Sequence, residues 1–421
     1  MAMLVRRGKQ RPIDNLYATF QQYLYLPEPY GLYSSLACYV ANLLPGNPVW
    51  LLHVSPPATG GSTLINVLDD LPGIVQVGDI SVGGLVSAVS KKDRKKESTG
   101  GLLFELPCRE DGKRWGIIKA KDFTSVLAKE RTARAELLSA LKEIYDGNWH
   151  RNKGTDGGMH AEWHGKVGFI AKCTEMIDNQ ENRAAMSQMG DRFIYFRYKQ
   201  TDGIAESAVA AKVIDEAFMR THLQYETHEF LNAILPPDWF ELVKNNQYLL
   251  SSKTIESLIN QKVVDRVSRM ARFACAGRGY IKRDDRTREM ERSEIQGPGR
   301  VIGQLKALYL AGVMLGLNHF EIWDMLDRIA WSCLPKNRAA ILHSIIDLSK
   351  GDRHATGYEF KEIMQVVNSN YVGVGEKTHM ERILHELIVF KLVEEHTQKL
   401  PDKGTRKVYR LSKYTKQLLG H

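Results

Sequence analysis

Apolar positions along the chain fall into helical and strand-like periods, and the order of those stretches outlines the architecture. Leu16, Phe20, Tyr23 and Leu24 recur at helix spacing, and Leu36 to Leu44 follow a Pro-Gly break, so the first 45 residues or so predict helix. Pro48 to Val54 is short, continuously apolar and bounded by turn residues, the pattern of a strand buried on both faces. It runs into Ser55-Pro-Pro-Ala-Thr-Gly-Gly-Ser-Thr63, after which Leu64, Ile65, Val67 and Leu68 predict a helix. A buried strand, a glycine turn and a helix make the arrangement of a phosphate loop. Trp115 to Lys121 predicts a second strand closing on Asp122, and Thr132 to Asp146 an amphipathic helix. Trp149 to Trp163 has two aromatic-flanked arms around a Gly-rich turn and predicts a β-hairpin. Val167 to Ala171, ending on Lys172-Cys173-Thr174, and Phe193 to Tyr198 predict two further strands. The chain then reads as helical from Ala205 to about Asn318. In the last unit, helices over Gly357 to Val367 and Lys377 to Phe390 precede two strands around Pro401-Asp-Lys-Gly404. Helices followed by a basic hairpin predict a winged helix.

The expected fold class is therefore α/β: an αβα parallel-sheet core over 46–200, preceded by a helical segment over 1–45. A helical lid over 201–318 and a winged-helix unit over 319–421 complete it. A length of 421 residues suits two or three such units, and 43% hydrophobic with 25% charged residues is ordinary for soluble globular protein. There is no apolar run of membrane-spanning length and no signal-peptide core near the start, so a cytoplasmic protein without membrane partners is expected. Five cysteines without CxxC pairing point to buried thiols in a reducing compartment.

A net charge of +9 favours polyanion partners, because each cation placed on a phosphate releases counterions. The basic clusters stand at Lys91 to Lys96, at Arg278 to Arg292 and from Lys399 to Lys416. Runs of this kind are also ordinary solvated surface.

The loop carries the first candidate chemistry. Gly60 and Gly61 allow close backbone approach to phosphate, and Ser62 or Thr63 supplies a hydroxyl for Mg. Gly61 stands where the loop lysine belongs and Ser55 where the first glycine belongs. Pro-Pro followed by small residues is equally an ordinary loop. The order of features along the chain adds more: a strand ending at an acid (Asp122), a strand ending at a polar residue (Thr174), and then Gly190-Asp-Arg-Phe193. Over roughly residues 15 to 315 this succession resembles the AAA+ ATPases. The similar clade is the one with a hairpin inserted before the sensor-1 strand, which includes minichromosome-maintenance-like helicases and their phage and mobile-element branch. Lys121-Asp-Phe123, Glu143 to Gly147, Cys173 to Asp178 and Gly190 to Phe193 carry the likeness.

That resemblance implies ATP and Mg as cofactors, with Gly60, Gly61, Ser62 and Thr63 at the phosphates. It also implies Ser62 and Asp122 at Mg, Asp122 as the one Walker B acid with Lys121 beside it, and Thr174 as sensor 1. Arg192 becomes the arginine finger for a neighbouring subunit and Arg300 the sensor-2 arginine. Arg151 and Lys153 fall near the hairpin tip, where related helicases touch DNA backbone. His160 and His164, four residues apart on one strand at ~3.3 Å each, stand too far apart to share an ion. In the last unit Lys377 and Arg382 of a recognition helix and Lys403, Arg406 and Lys407 of a wing are the DNA-binding candidates, with a protein-docking winged helix the other reading. The function implied is an ATP-dependent translocase or helicase for replication of a phage or mobile element, a homo-oligomeric six-membered ring on single-stranded or forked DNA. The alternative is a degenerate AAA+ scaffold or loader that binds DNA with little ATP hydrolysis. Two readings of the missing lysine stay open: Lys121 swings toward the phosphates, or nucleotide is held loosely and turned over poorly.

Overall fold

A computed structural model of the chain describes residues 11–56, 60–85, 101–153, 159–199, 203–247, 249–284, 286, 290–351, 355–371, 373–399 and 404–420, without the side chains of 151–161 and 291–292. The strands are β1 (Trp50–Val54), β2 (Ile74–Val77), β3 (Arg114–Ala120), β4 (Asn148–Lys153), β5 (Met159–Cys173) and β6 (Phe193–Arg197) in the central sheet. Two small hairpins follow, β7 (Tyr280–Arg283) with β8 (Met290–Glu294) and β9 (Val393–Lys399) with β10 (Thr405–Leu411). The central order is β2-β3-β5-β1-β6, all parallel, with β4 added antiparallel to the first half of β5.

Side-chain alternation divides the sheet into two faces. Trp50, Leu52, Val54, Phe169, Phe193 and Tyr195 pack with the Arg131–Tyr145 and Gln180–Gln188 helices on one side. Leu51, Ile117, Ile170, Ile194 and Phe196 pack on the other, against the Tyr30–Leu43 and Gly299–Met314 helices. Two buried amides pin the start of β1 to that second layer. Asn42 bonds both the carbonyl and the amide of Val49, at 3.0 and 2.9 Å, and Gln304 accepts from the Trp50 amide at 2.9 Å. Gln304 also donates to the Arg192 carbonyl at 3.1 Å, so one helix fixes the amino ends of β1 and β6 together.

The stretch read as helical to Asn318 is interrupted by the β7–β8 hairpin. Its sequence, rich in charge and poor in alternating apolar residues, gives no strand signal. β2 is also unheralded; Pro72-Gly73 stops the preceding turns, and four residues suffice to complete the sheet edge. Beyond residue 335 the Lys336–Gly351, Phe360–Asn370 and Lys377–Val389 helices pack with β9–β10, and Tyr358 adds a bridge to Tyr409. Among the described residues no helix is long and apolar enough to cross a membrane. The cysteines are free; four are buried, while Cys108, expected inside, is exposed.

Candidate functional site

In an open parallel sheet, ligands sit beyond the carboxyl ends of the strands where the chain order reverses. Here that place lies over β1, which hands the chain to the far edge at β2 while β6 returns on its other side. Ser55 follows β1 directly. Its amide donates to the Cys173 carbonyl at 3.0 Å, and its buried Oγ has no hydrogen-bond partner among the described residues. Gly60 is left-handed (φ +74°), and a Cβ on Gly61 would stand 2.9 Å from Ser55 Oγ and 3.4 Å from the Tyr198 ring. The two departures from the phosphate-loop pattern are thus one packing event. A serine in the first glycine position occupies the room that a lysine at 61 would need.

The helix expected after the loop is a single turn, Thr63–Asn66. Leu64, Ile65, Val67 and Leu68 are buried as their spacing suggests, but Asp70 turns left-handed (φ 62°) and Leu71-Pro72-Gly73 ends the segment. The shortening is tied to a residue that the motif pattern does not single out. Lys119, buried on β3, forms an ion pair with Asp69 and donates to Asn66 Oδ1 at 2.9 Å. The cue is a lysine inside Trp-Gly-Ile-Ile-Lys-Ala, where every neighbour is apolar or small.

The other candidates at this edge lie on its far side. β3 ends at Ala120, so Asp122 sits in an exposed turn and not on the strand end where it was expected. Its carboxylate accepts from the Thr124 amide at 2.8 Å. Thr124 Oγ1 in turn accepts from the Thr174 amide at 3.0 Å and lies 3.3 Å from Thr174 Oγ1. Asp122 and Thr174 are therefore brought together through Thr124. Lys121 is exposed and adds its field to that of Lys119 on Asp69. Among the described residues no hydrogen bond or ion pair ties Lys121 or Asp122 to Gly60–Thr63.

A cavity of about 480 Å³ opens beside the loop, between the segment Tyr25 to Glu28 and the end of β6 at Tyr198 and Lys199. Glu28 holds Arg328 at 2.5 Å and Lys199 at 3.0 Å. Tyr198, shared by loop and cavity, is fixed from behind by His53 Nδ1 at 2.8 Å, and His53 Nε2 meets Ser35 Oγ at 3.2 Å. Full burial holds the His53 pKa down to about 3, so the ring is neutral. As a phosphate site the loop offers glycine approach and hydroxyls without a cation, and the orphaned Ser55 Oγ is a polar atom that a phosphate oxygen would satisfy.

Arg192 and Arg300 lie at the opposite, amino edge. Arg192 is level with Val49 in the β1–β6 register, six residues or about 20 Å from Ser55 at ~3.3 Å per residue. Its guanidinium is buried, bonded to Asp146 at 2.5 Å and to the Met189 carbonyl at 2.7 Å. Arg300, half-exposed, stands 3.9 Å from the same carboxylate. The expected outward-reaching arginine is thus held within its own chain, and Arg300 is placed with it, far from the loop. Asp146 decides this arrangement, but a partner 46 positions away leaves no local trace in the sequence.

Of the nucleic-acid candidates, Lys403 and the side chains of Arg151 and Lys153 lie outside the described residues. Lys377 and Arg382 are exposed on one helix. Glu386, which in the sequence dilutes that helix's charge, is instead buried against Arg338. The hairpin is less basic than its composition, since Arg406 pairs with Glu359 at 2.6 Å, Lys407 with Glu395 at 2.9 Å and Arg410 with Glu394 at 3.3 Å.

The fold and site define an α/β chain with a central parallel sheet whose polar candidates gather at opposite edges. No family profile matches the chain, and no curated protein does. Among solved structures it is similar to a putative ATPase from Cytophaga hutchinsonii, at 13% identity over 87% of this chain and 95% of that one, TM-score 0.38. It is also similar to the SCCmec type IV Cch active helicase, at 10% identity, 97% and 71% coverage and TM-score 0.35. The ORC1 protein of Aeropyrum pernix, solved in complex with DNA, gives 13% identity, 98% and 96% coverage and TM-score 0.26. With scores this low, none of these likenesses bears on what the chain does.

Proposed function

We propose that the chain is an AAA+-type protein that binds ATP with Mg at the loop Ser55 to Thr63 and acts on DNA as an ATP-driven translocase or helicase in the replication of a phage or mobile element. The observation that carries this reading is the strand order. β1, flanked by β5 and β6, leads into the glycine loop, β5 ends at Cys173 just before Thr174, and β4 with the first half of β5 forms the hairpin. In this reading Ser62 or Thr63 and Asp122 hold Mg, and Thr174 positions water. Bound Mg–ATP supplies the phosphoanhydride and the charge neutralisation that its hydrolysis needs. Arg192 and Arg300, side by side at the amino edge, serve a neighbour's nucleotide once Asp146 gives way. That requires a ring, taken as six-membered, with hairpins bearing Arg151 and Lys153 toward DNA in the channel.

A second reading, a scaffold or loader with little turnover, is favoured by Asp122 being committed to the Thr124 amide and by Lys119 being neutralised by Asp69. One set of measurements separates them: ATP binding, and phosphate release with and without single-stranded DNA. Turnover lost in Arg192→Ala and in Asp122→Ala, and partly recovered when the two variants are mixed, supports the motor. Binding without turnover in the unaltered chain supports the scaffold. A chain that binds no nucleotide removes both.

A further inference from the structure

The basic cluster from Arg278 to Arg292 has no part in the translocase mechanism, yet the fold gives it a surface. β7 stands beside the Arg131–Tyr145 and Gln180–Gln188 helices, and the three border an open groove. Arg131, Arg134, Lys282 and Arg283 line it, facing the carboxylates of Glu181 and Asp284. Both acids are engaged: Glu181 pairs with Arg134, and Asp284 accepts from the Arg286 amide at 2.8 Å. Arg283 stands 3.6 Å from Glu386, a carboxylate that Arg338 and Arg183 already share at 2.6 and 3.5 Å. Arg131 and Lys282 are exposed, and the four cationic side chains of the lining outnumber its two acidic ones.

The geometry points to a binding groove for one strand of nucleic acid, with phosphates against Arg131, Lys282 and Arg283 and a base stacked on Tyr280. Ala135, Ala184 and Ala185 in the wall let a sugar–phosphate backbone approach closely. Tyr280, half-buried within the groove, is reached by a base splayed out of its strand and not by one paired inside a duplex. The groove rests on the proposed action on DNA but needs neither nucleotide nor a ring.

The test uses the full chain without nucleotide and a fluorescein-labelled oligothymidylate of about twenty residues, followed by anisotropy across a salt series. Arg131→Ala with Lys282→Ala should weaken binding about tenfold and lower the log–log salt slope by about 1.4, ~0.7 for each single-strand phosphate that is no longer neutralised. Tyr280→Ala should weaken binding at least about fivefold while Tyr280→Phe keeps it. Ala184→Glu, which takes away no cation, should weaken it as well, and unchanged thermal midpoints exclude misfolding. A duplex of the same length should lose little in Tyr280→Ala. If the three groove variants keep wild-type affinity and slope while Arg151→Ala with Lys153→Ala loses binding, the groove is overturned and the translocase stands. If the groove variants lose binding while ATP turnover ignores DNA, the groove stands and the translocase falls.

Discussion

In the nucleotide-binding function proposed above, Ser55 and Gly61 are the pair of residues on which affinity turns. Gly61→Lys alone would set its Cβ 2.9 Å from Ser55 Oγ, so the single change should lower the thermal midpoint and bring little gain in ATP binding. Ser55→Gly combined with Gly61→Lys relieves that crowding and adds a cation for the phosphates, and ATP affinity should rise by at least about tenfold. Equal affinity in the double variant and the wild type, read by calorimetry, would place the phosphates elsewhere. Behind the same loop, His53 gives the stability a pH dependence. Its folded pKa of about 3 lies below the ordinary 6.5, so between those values the unfolded chain binds more protons and stability falls as the pH drops. From pH 7 to 5 this costs about 2 kcal/mol, from ~1.4 kcal/mol per pH unit below 6.5. The neutral His53→Asn variant should lack that component when unfolding is followed at both pH values. His343, also held low by burial to about 4, adds a loss of the same sign that the variant retains. The loop glycines and hydroxyls were legible in the sequence, because motif spacing is local. The bonding of His53 to Tyr198 and the capture of Arg192 by Asp146 were not, since those partners meet only in the fold.

Short apolar strands were the legible elements. β1, β3 and β6 were read within a residue or two, because burial on both faces leaves a run with no polar interruption. β5 was read in two pieces, a hairpin arm and a core strand, because its pattern changes where it passes from the β4 ladder into the sheet. β7 and β8 were not legible at all; they lie on the protein's rim, where little apolar alternation is needed. The C-terminal hairpin shows the same limit for charge. Its cations are visible in the sequence, but the glutamates that neutralise them sit across a ladder or on another element. If this unit contacts DNA, the exposed Lys377 and Arg382 should matter more than Arg406 and Lys407. We expect Lys377→Ala with Arg382→Ala to flatten the duplex salt dependence by about 1.8 log–log units, ~0.9 per phosphate, and Arg406→Ala with Lys407→Ala by less than half of that. The reverse ranking would assign duplex binding to the hairpin.

At the scale of the whole molecule, Arg338 is the tie between the sheet-side helices and the C-terminal unit. Fully buried, it donates to the carbonyls of Gly277 and Gly279 at 2.8 and 2.6 Å and pairs with Glu386 at 2.6 Å. Arg338→Ala takes the guanidinium from two buried carbonyls and leaves Glu386 only its longer contacts with Arg183 and Arg283, a loss of about 3 kcal/mol. Chemical denaturation should then show the C-terminal unit melting ahead of the sheet; a single unshifted transition would mean that the units are joined elsewhere. The long strand β5 has a mechanical consequence. Fifteen residues at ~3.3 Å make a rod of roughly 45 Å, clamped by β4 over one half and by β3 and β1 over the other. At the junction, Gly165 lies so close to the Arg114 carbonyl that a side chain would stand 2.1 Å from it, which leaves no slack for a joint. A load on the hairpin cannot be absorbed by bending there. It is carried along the strand instead, toward Cys173 and the Thr174 that follows it.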